Sequence, residues 1–202
     1  MNDIYTTRIS ESIESLFANM EQRIAAEDMQ RVRDAYALAA EAHKDQRRKT
    51  GEPYIIHPIA VARIVAEELE LGANPVIAAF LHDVVEDTDT SIEEIRSLFG
   101  ERIAGYVAAE SENKYKELSA EDTWKIRKKE TLDRLATAPY EIKILALADK
   151  LSNIRAVYRD YNTVGEKLWS RFNQKDKKEH CWYYRSVAEC LSDLEDTFAY
   201  RE

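Results

Sequence analysis

Glycine is the feature of this sequence that most restricts its fold. Five glycines (Gly51, Gly72, Gly100, Gly105 and Gly165) and four prolines serve 202 residues. Average usage would supply about 14 and about 10. A β-sandwich or barrel needs frequent tight turns, and tight turns draw on both residue types. A glycine-rich phosphate cradle needs its glycines bunched at one point, and here they are scattered. All-β, dinucleotide-binding and P-loop architectures are therefore excluded. The expected fold is all-α, a compact single-domain helical bundle over residues 1–202. At 23.4 kDa about 70% of the unfolded surface is removed from water on folding, enough for a sizeable core.

Hydrophobic periodicity divides the chain into helices. Residues 9–25 carry Ile13, Leu16, Phe17, Met20 and Ile24 at helical spacing, and residues 28–43 carry Val32, Tyr36, Ala39 and Ala40 on one face. A polar segment, 44–58, comes next. Pro58 suits a helix N-terminus, so residues 59–69 are expected to be helical, then 76–85 after Pro75. Ser91 and Glu94 have capping-box spacing and open a helix to Phe99. Further helices are expected over 101–110, from the Ser119–Asp122 capping signal to 135, from Pro139 to 159, and over 175–198. No repeat, low-complexity tract or linker interrupts the series.

The formal net charge is −9, which argues against phosphate-backbone binding to nucleic acid but leaves room for one anionic small molecule at a local basic patch. Cys181 and Cys190, nine residues apart, fall on opposite faces of a helix. A disulfide between them is not expected, and a cytoplasmic location fits. The N-terminus lacks the basic and apolar segments of a signal peptide, and no apolar run is long enough to span a membrane. The oligomeric state stays open.

Three clusters carry chemistry. The apolar run 76–81 ends abruptly in His82, Asp83, Glu86 and Asp87. On a continuous helix His82 and Glu86 share one face and Asp83 and Asp87 another. A polar helix end in solvent is the ordinary reading, but three carboxylates at a helix C-terminus oppose the macrodipole, and a cation would offset that. Second, Asp149 comes directly after an all-round apolar run, 144–148, with Asn153 one turn later. A carboxylate there needs a lysine or arginine partner or a metal. Third, Arg47, Arg48 and Lys49, with Lys44 nearby, form a basic cluster suited to an anionic substrate. Arg48 could stack on a nucleobase. The basic run 125–129 reads instead as plain surface. His82, Asp83 and Asp149 with one more histidine, His43 or His57, make a mixed nitrogen and oxygen site for a divalent transition metal. Such an ion lowers the pKa of a bound water, with Glu86 and Asp87 placed for acid–base work.

These residues resemble a known pattern. His57, His82-Asp83 and Asp149, in that order, are similar to the metal-binding residues of HD-domain phosphohydrolases. More narrowly, AHKDQRRKTGEPYIIHPIAVARIV (residues 42–65), AAFLHDVVEDTDTSIEEIRSLFG (78–100) and LALADKLSNIR (145–155) resemble the hydrolase domain of the RelA/SpoT alarmone enzymes. The resemblance covers about residues 33–160; the C-terminal helical region, 161–202, matches less clearly. It implies a metal, usually manganese, on His57, His82, Asp83 and Asp149, which places His57 rather than His43 first. It implies that Glu86 and Asp87 orient or activate the attacking water, that Arg48 and Lys49 contact a guanine nucleotide, and that Asn153 lines its pocket. Where the multidomain enzymes carry Gly-Val-Thr-Lys, this chain has Glu110-Ser-Glu-Asn-Lys114, as in the short stand-alone hydrolases, so Lys114 is expected to approach substrate phosphates. No synthetase domain is expected in a chain of this length.

The implied activity is metal-dependent removal of pyrophosphate from the 3′ position of (p)ppGpp, an alarmone of the stringent response. Two alternatives remain: the same site acting on an adenine alarmone, (p)ppApp, or on the 2′-phosphate of NADPH, and a non-catalytic nucleotide sensor. The aromatic segment 168–187 is expected to pack the last helix on the bundle. Its alternative role is a pocket wall, with Trp182 or Tyr183 near substrate.

Overall fold

The computed structural model describes residues 2–202 except 113, 114, 116–118 and 120. The described residues are helical, with no strand beyond one isolated bridge between Arg47 and Pro53. Two compact units emerge, Met1–Ser111 and Glu112–Glu202.

The first unit opens with α1 (Asn2–Glu21) and α2 (Ala26–Ala42). α1 starts seven residues before the expected position, 2 against 9, but its buried stripe is the expected one: Ile13, Leu16, Phe17 and Met20. The segment after α2 folds back on itself. Arg48 N–H donates to the Glu52 carbonyl at 2.8 Å, Gly51 N–H to the Arg48 carbonyl at 2.8 Å, and Tyr54 N–H to the Gln46 carbonyl at 3.1 Å. α3 (Ile56–Arg63) begins earlier than the proline suggested. Pro58 is its third residue, inside the first turn where no N–H is needed. A π-helical turn, Ile64–Glu68, extends it.

The nine residues of α4 (Ala73–Leu81) include an unbroken buried run from Val76 to Leu81. α4 packs against α2, α3 and α7 (Glu101–Glu110), which makes it the centre of this unit. It does not continue to residue 85. The helix breaks at His82-Asp83 and restarts as the short α5 (Val84–Asp87). The expected capping box is present ahead of α6 (Ile92–Phe99): Glu94 N–H donates to Ser91 Oγ at 3.2 Å and Ser91 N–H to Glu94 Oε2 at 2.7 Å. Gly100 alone joins α6 to α7, at φ 88° and ψ 169°, a region open essentially only to glycine.

The second unit contains α8 (Trp124–Ala136), α9 (Tyr140–Val164), α10 (Lys177–Cys190) and α11 (Phe198–Arg201). α9 runs five residues past its expected end and stops at Gly165, φ 59°. A 3-10 segment, Gly165–Arg171, comes after it. The basic run 125–129 is only partly surface. Arg127 and Lys128 are half-buried and both close on Glu112 at 2.7 Å, whose side chain is 9% exposed; Thr131 Oγ1 adds a donor at 3.1 Å. A buried carboxylate needs such partners, which is why these two cations turn inward. Aromatic packing fills the rest: Trp124 meets His180, Trp182 and Tyr183, and Tyr183 is buried.

Gly100→Ala meets no neighbouring atom, so its cost is purely backbone strain. It should lower unfolding free energy by about 1–3 kcal/mol, read as a lower urea midpoint with unchanged slope. For Glu112, burial pushes the carboxyl up, but the Lys128 charge and hydrogen bond, with Lys150 and Arg127, outweigh it and hold it below its ordinary 4.5. A depressed carboxylate stabilises the fold above its ordinary value and loses that contribution as pH falls through the native value. Glu112→Gln should therefore cost about 1–3 kcal/mol near neutral pH, with the gap to the parent closing on acidification below about pH 4.

Candidate metal centre and nucleotide pocket

The apolar run of α4 carries His82 into the interior, where it is 2% exposed. His82 Nδ1 lies 2.8 Å from the Ala79 carbonyl oxygen. A carbonyl only accepts, so Nδ1 holds the proton and, in the neutral ring, Nε2 presents a bare lone pair. That lone pair faces His57 Nε2 at 3.2 Å and Asp83 Oδ2 at 3.1 Å. His57, 4% exposed, is placed by the first turn of α3, where its N–H donates to the Tyr54 carbonyl at 2.9 Å. Its Nε2 lies 3.6 Å from the same Asp83 oxygen.

Two imidazole nitrogens and a carboxylate oxygen thus converge in a buried place. A lone pair against a carboxylate at 3.1 Å repels unless a proton or cation lies between them. The donor chemistry, two imidazoles and a hard oxygen, fits a divalent metal, and His57 and His82 offer ligand atoms close enough for one ion.

The break after α4 changes the expected faces. His82 and Glu86 do not share one uninterrupted helix. Asp83 and Asp87 remain one turn apart, with Asp87 N–H donating to the Asp83 carbonyl at 2.9 Å. Both carboxylates reach one side chain that the sequence pattern does not single out: the Tyr54 hydroxyl lies 2.6 Å from Asp83 Oδ2 and 3.2 Å from Asp87 Oδ2. Burial, then the Asp83 charge and hydrogen bond and the Asp87 charge, push this phenol far above its ordinary value, against a smaller opposing pull from Arg48. It therefore stays a donor throughout the physiological range. Glu86 is half-buried on α5.

His43 is buried and belongs to the support of the site. Its ring stacks on Tyr54 with centroids 4.6 Å apart, and its Nδ1 lies 2.8 Å from Gln46 Oε1. The Gln46 amide donates to the Asp87 carbonyl. The only available signal for Tyr54 was its position three residues before His57, one helical turn away.

Arg48 places its guanidinium over the Tyr54 ring at 5.8 Å. Lys49 beside it is exposed; partial desolvation of its head and the Arg48 charge lower its ammonium from the ordinary value. Lys114 lies outside the described residues.

In the second unit, the buried run Ile144–Ala148 delivers Asp149 at 6% exposure. Asn153 Nδ2 donates to Asp149 Oδ1 at 2.6 Å, and Lys150 Nζ to Oδ2. A lysine partner for this carboxylate is thus present, and Asp149 and Asn153 are brought together as expected. Trp182 and Tyr183 pack among their neighbours, with Lys125 over the Trp182 ring and Lys128 over Tyr183. A cavity of about 380 Å³ is walled instead by Ile154, Val157, Trp169, His180, Cys181 and Tyr184, with Lys177 and Lys178 also lining it.

The HD domain family model matches residues 35–176. Among curated proteins, the chain is 42% identical over 136 residues to guanosine-3′,5′-bis(diphosphate) 3′-pyrophosphohydrolase MESH1 of Danio rerio, covering 66% of this chain and 70% of that one. It is 41% identical over 162 residues to guanosine-3′,5′-bis(diphosphate) 3′-pyrophosphohydrolase of Aquifex aeolicus, covering 78% of this chain but only 21% of that protein. Among solved structures it is similar to one described as a metazoan ortholog of SpoT that hydrolyses ppGpp and plays a role in starvation responses. The TM-score is 0.65 at 29% identity, covering 83% of this chain and 86% of that one. With this match running from α2 through α9, and with the stand-alone relative paired over most of its length, the chain belongs to the HD-domain family, in its RelA/SpoT-type hydrolase branch.

Proposed function

We propose that this chain is a manganese-dependent guanosine-3′,5′-bis(diphosphate) 3′-pyrophosphohydrolase, converting ppGpp and pppGpp to GDP and GTP with release of pyrophosphate. The observation that carries the reading is the enforced meeting of the His82 lone pair, His57 and Asp83, in a chain of this family. His57, His82, Asp83 and Asp149 hold the metal, which when bound supplies Lewis acidity and lowers the pKa of a coordinated water. Asp87, tethered through Tyr54 to the Asp83 carboxylate, and Glu86 orient that water and accept its proton. Water oxygen adds to the phosphorus joined to the 3′ oxygen, and the bond between them breaks. The 3′ oxygen takes a proton to become hydroxyl, and pyrophosphate departs. Arg48 and Lys49 contact the guanine nucleotide, Asn153 lines its pocket and Lys114 draws the phosphates. The working compartment is the cytoplasm, where the two free thiols, Cys181 and Cys190, stay reduced. Among the described residues no helix is long and apolar enough to cross a membrane.

The test is a panel of ppGpp, pppGpp, their adenine analogues and NADPH, assayed with added manganese and resolved by anion exchange. Pyrophosphate from the guanine alarmones is expected. Orthophosphate from NADPH alone, or binding of ppGpp without turnover, would overturn the assignment. Asp83→Ala should lower turnover by more than about a hundredfold, beyond the usual loss of an outer-sphere partner, while its far-ultraviolet circular dichroism stays helical.

A further inference from the structure

We infer that Tyr54 is the positioning residue that ties the metal ligand to the nucleotide-contacting arginine: its hydroxyl sets the Asp83 carboxylate, and its ring seats Arg48. The inference rests on the proposed reading of His57, His82 and Asp83 as metal ligands.

The oxygen that Tyr54 engages at 2.6 Å is Asp83 Oδ2. That same atom faces His82 Nε2 at 3.1 Å and His57 Nε2 at 3.6 Å. A carboxylate can turn either oxygen toward a neighbour, and a donor fixed on one of them selects the rotamer. A phenol has one hydrogen, and the shorter contact takes it. Asp87 Oδ2 at 3.2 Å lies within reach of the same hydrogen after rotation about the C–O bond. The hydroxyl thus spaces a metal-binding carboxylate against the carboxylate proposed to handle the water. Outer partners of this kind orient ligands and tune their basicity.

The ring is itself immobilised. His43 stacks on it at 4.6 Å with planes 29° apart, and His57 meets it edge-on at 6.1 Å and 81°. His43 is in turn tied to Gln46, whose side chain grips the Asp87 backbone carbonyl and whose own carbonyl accepts the Tyr54 N–H. The circuit Gln46–His43–Tyr54–Asp87 closes on itself, so the phenol cannot swing away without breaking one of these contacts. Arg48 lies over the immobilised ring at 5.8 Å, in the range of a cation–π contact. One rigid side chain therefore spans the metal side and the nucleotide side of the site.

This division of labour predicts a split that a merely structural tyrosine would not give. Tyr54→Phe keeps the ring and loses the hydroxyl. It should weaken manganese binding, measured by calorimetry on the metal-free protein, by about 10–100-fold. At saturating manganese it should lower kcat for ppGpp by about tenfold or more and leave KM within about twofold of the parent. Tyr54→Leu, which also removes the ring, should raise KM in addition. Circular dichroism and thermal melts of both metal-free variants check the fold. Parent-like manganese affinity and kcat in folded Tyr54→Phe would overturn the hydroxyl's role. Equal KM in the two variants would overturn the ring's role; Tyr54→Phe decides the first point even if Tyr54→Leu fails to fold. A parent protein that binds no manganese, or binds it equally well as Asp83→Ala, would sink the metal reading itself and Tyr54's role with it.

Discussion

A helix whose residues from Val76 to Leu81 are all apolar can be satisfied only in the interior, and that requirement organises the first unit. α2, α3 and α7 pack around α4, and the residue after Leu81 is delivered to a buried position, 2% exposed. That residue is His82. Its bond to the Ala79 carbonyl then removes the remaining freedom, because it fixes both ring orientation and tautomer. Burying six consecutive apolar residues contributes of order 10 kcal/mol, far more than the cost of holding one imidazole against a carboxylate. The meeting of His82 with Asp83 is therefore held in place by hydrophobic burial in the same unit.

Much of this was legible in the sequence, for identifiable reasons. Scarce glycine excluded the turn-rich folds, and the glycines at Gly100 and Gly165 indeed sit where helices end in positive φ. The capping box at Ser91 is a local code, carried by residues three apart, and it forms as its spacing predicts. The break at His82-Asp83 was not legible, because Val84, Val85 and Glu86 continue a helical pattern and only the tertiary setting interrupts it. The Lys150 partner of Asp149 was hidden for a similar reason: adjacent residues on a helix do not face one another, and the pair forms by a lysine bending back. The inward cations Arg127 and Lys128 looked like surface because their partner, Glu112, lies 15 and 16 residues away. Of the proposed site residues, the histidine–aspartate core was visible as a motif; Tyr54 was not, because a tyrosine in an apolar context reads as packing until its hydroxyl is seen.

The charge balance acquires structure as well. The net charge of −9 is an average over carboxylates with different work. Glu112 is clamped by cations, Asp149 by Lys150 and Asn153, while Asp83 and Asp87 converge on a phenol. A phenol satisfies hydrogen-bonding demand without cancelling charge, so the field of this pair persists beside the two imidazoles, and Arg48 and Lys49 stand on the same unit. The proposed phosphate site is thus assembled from side chains rather than from a backbone nest.

The short fold-back after α2 sets different rules for chain length along it. Its tip, near Gly51 at φ 90°, is closed by the Arg47–Pro53 bridge and faces no packed neighbour, so residues added there would enlarge a loop at small entropic cost. Between Tyr54 and His57 the chain has already entered a helical turn. One residue inserted in that interval would rotate His57 by about 100° relative to Tyr54, turning the imidazole away from the carboxylate that the tyrosine holds. Natural variation in loop length among relatives of this chain should therefore accumulate at the tip and stop at Pro53, three residues before α3 begins.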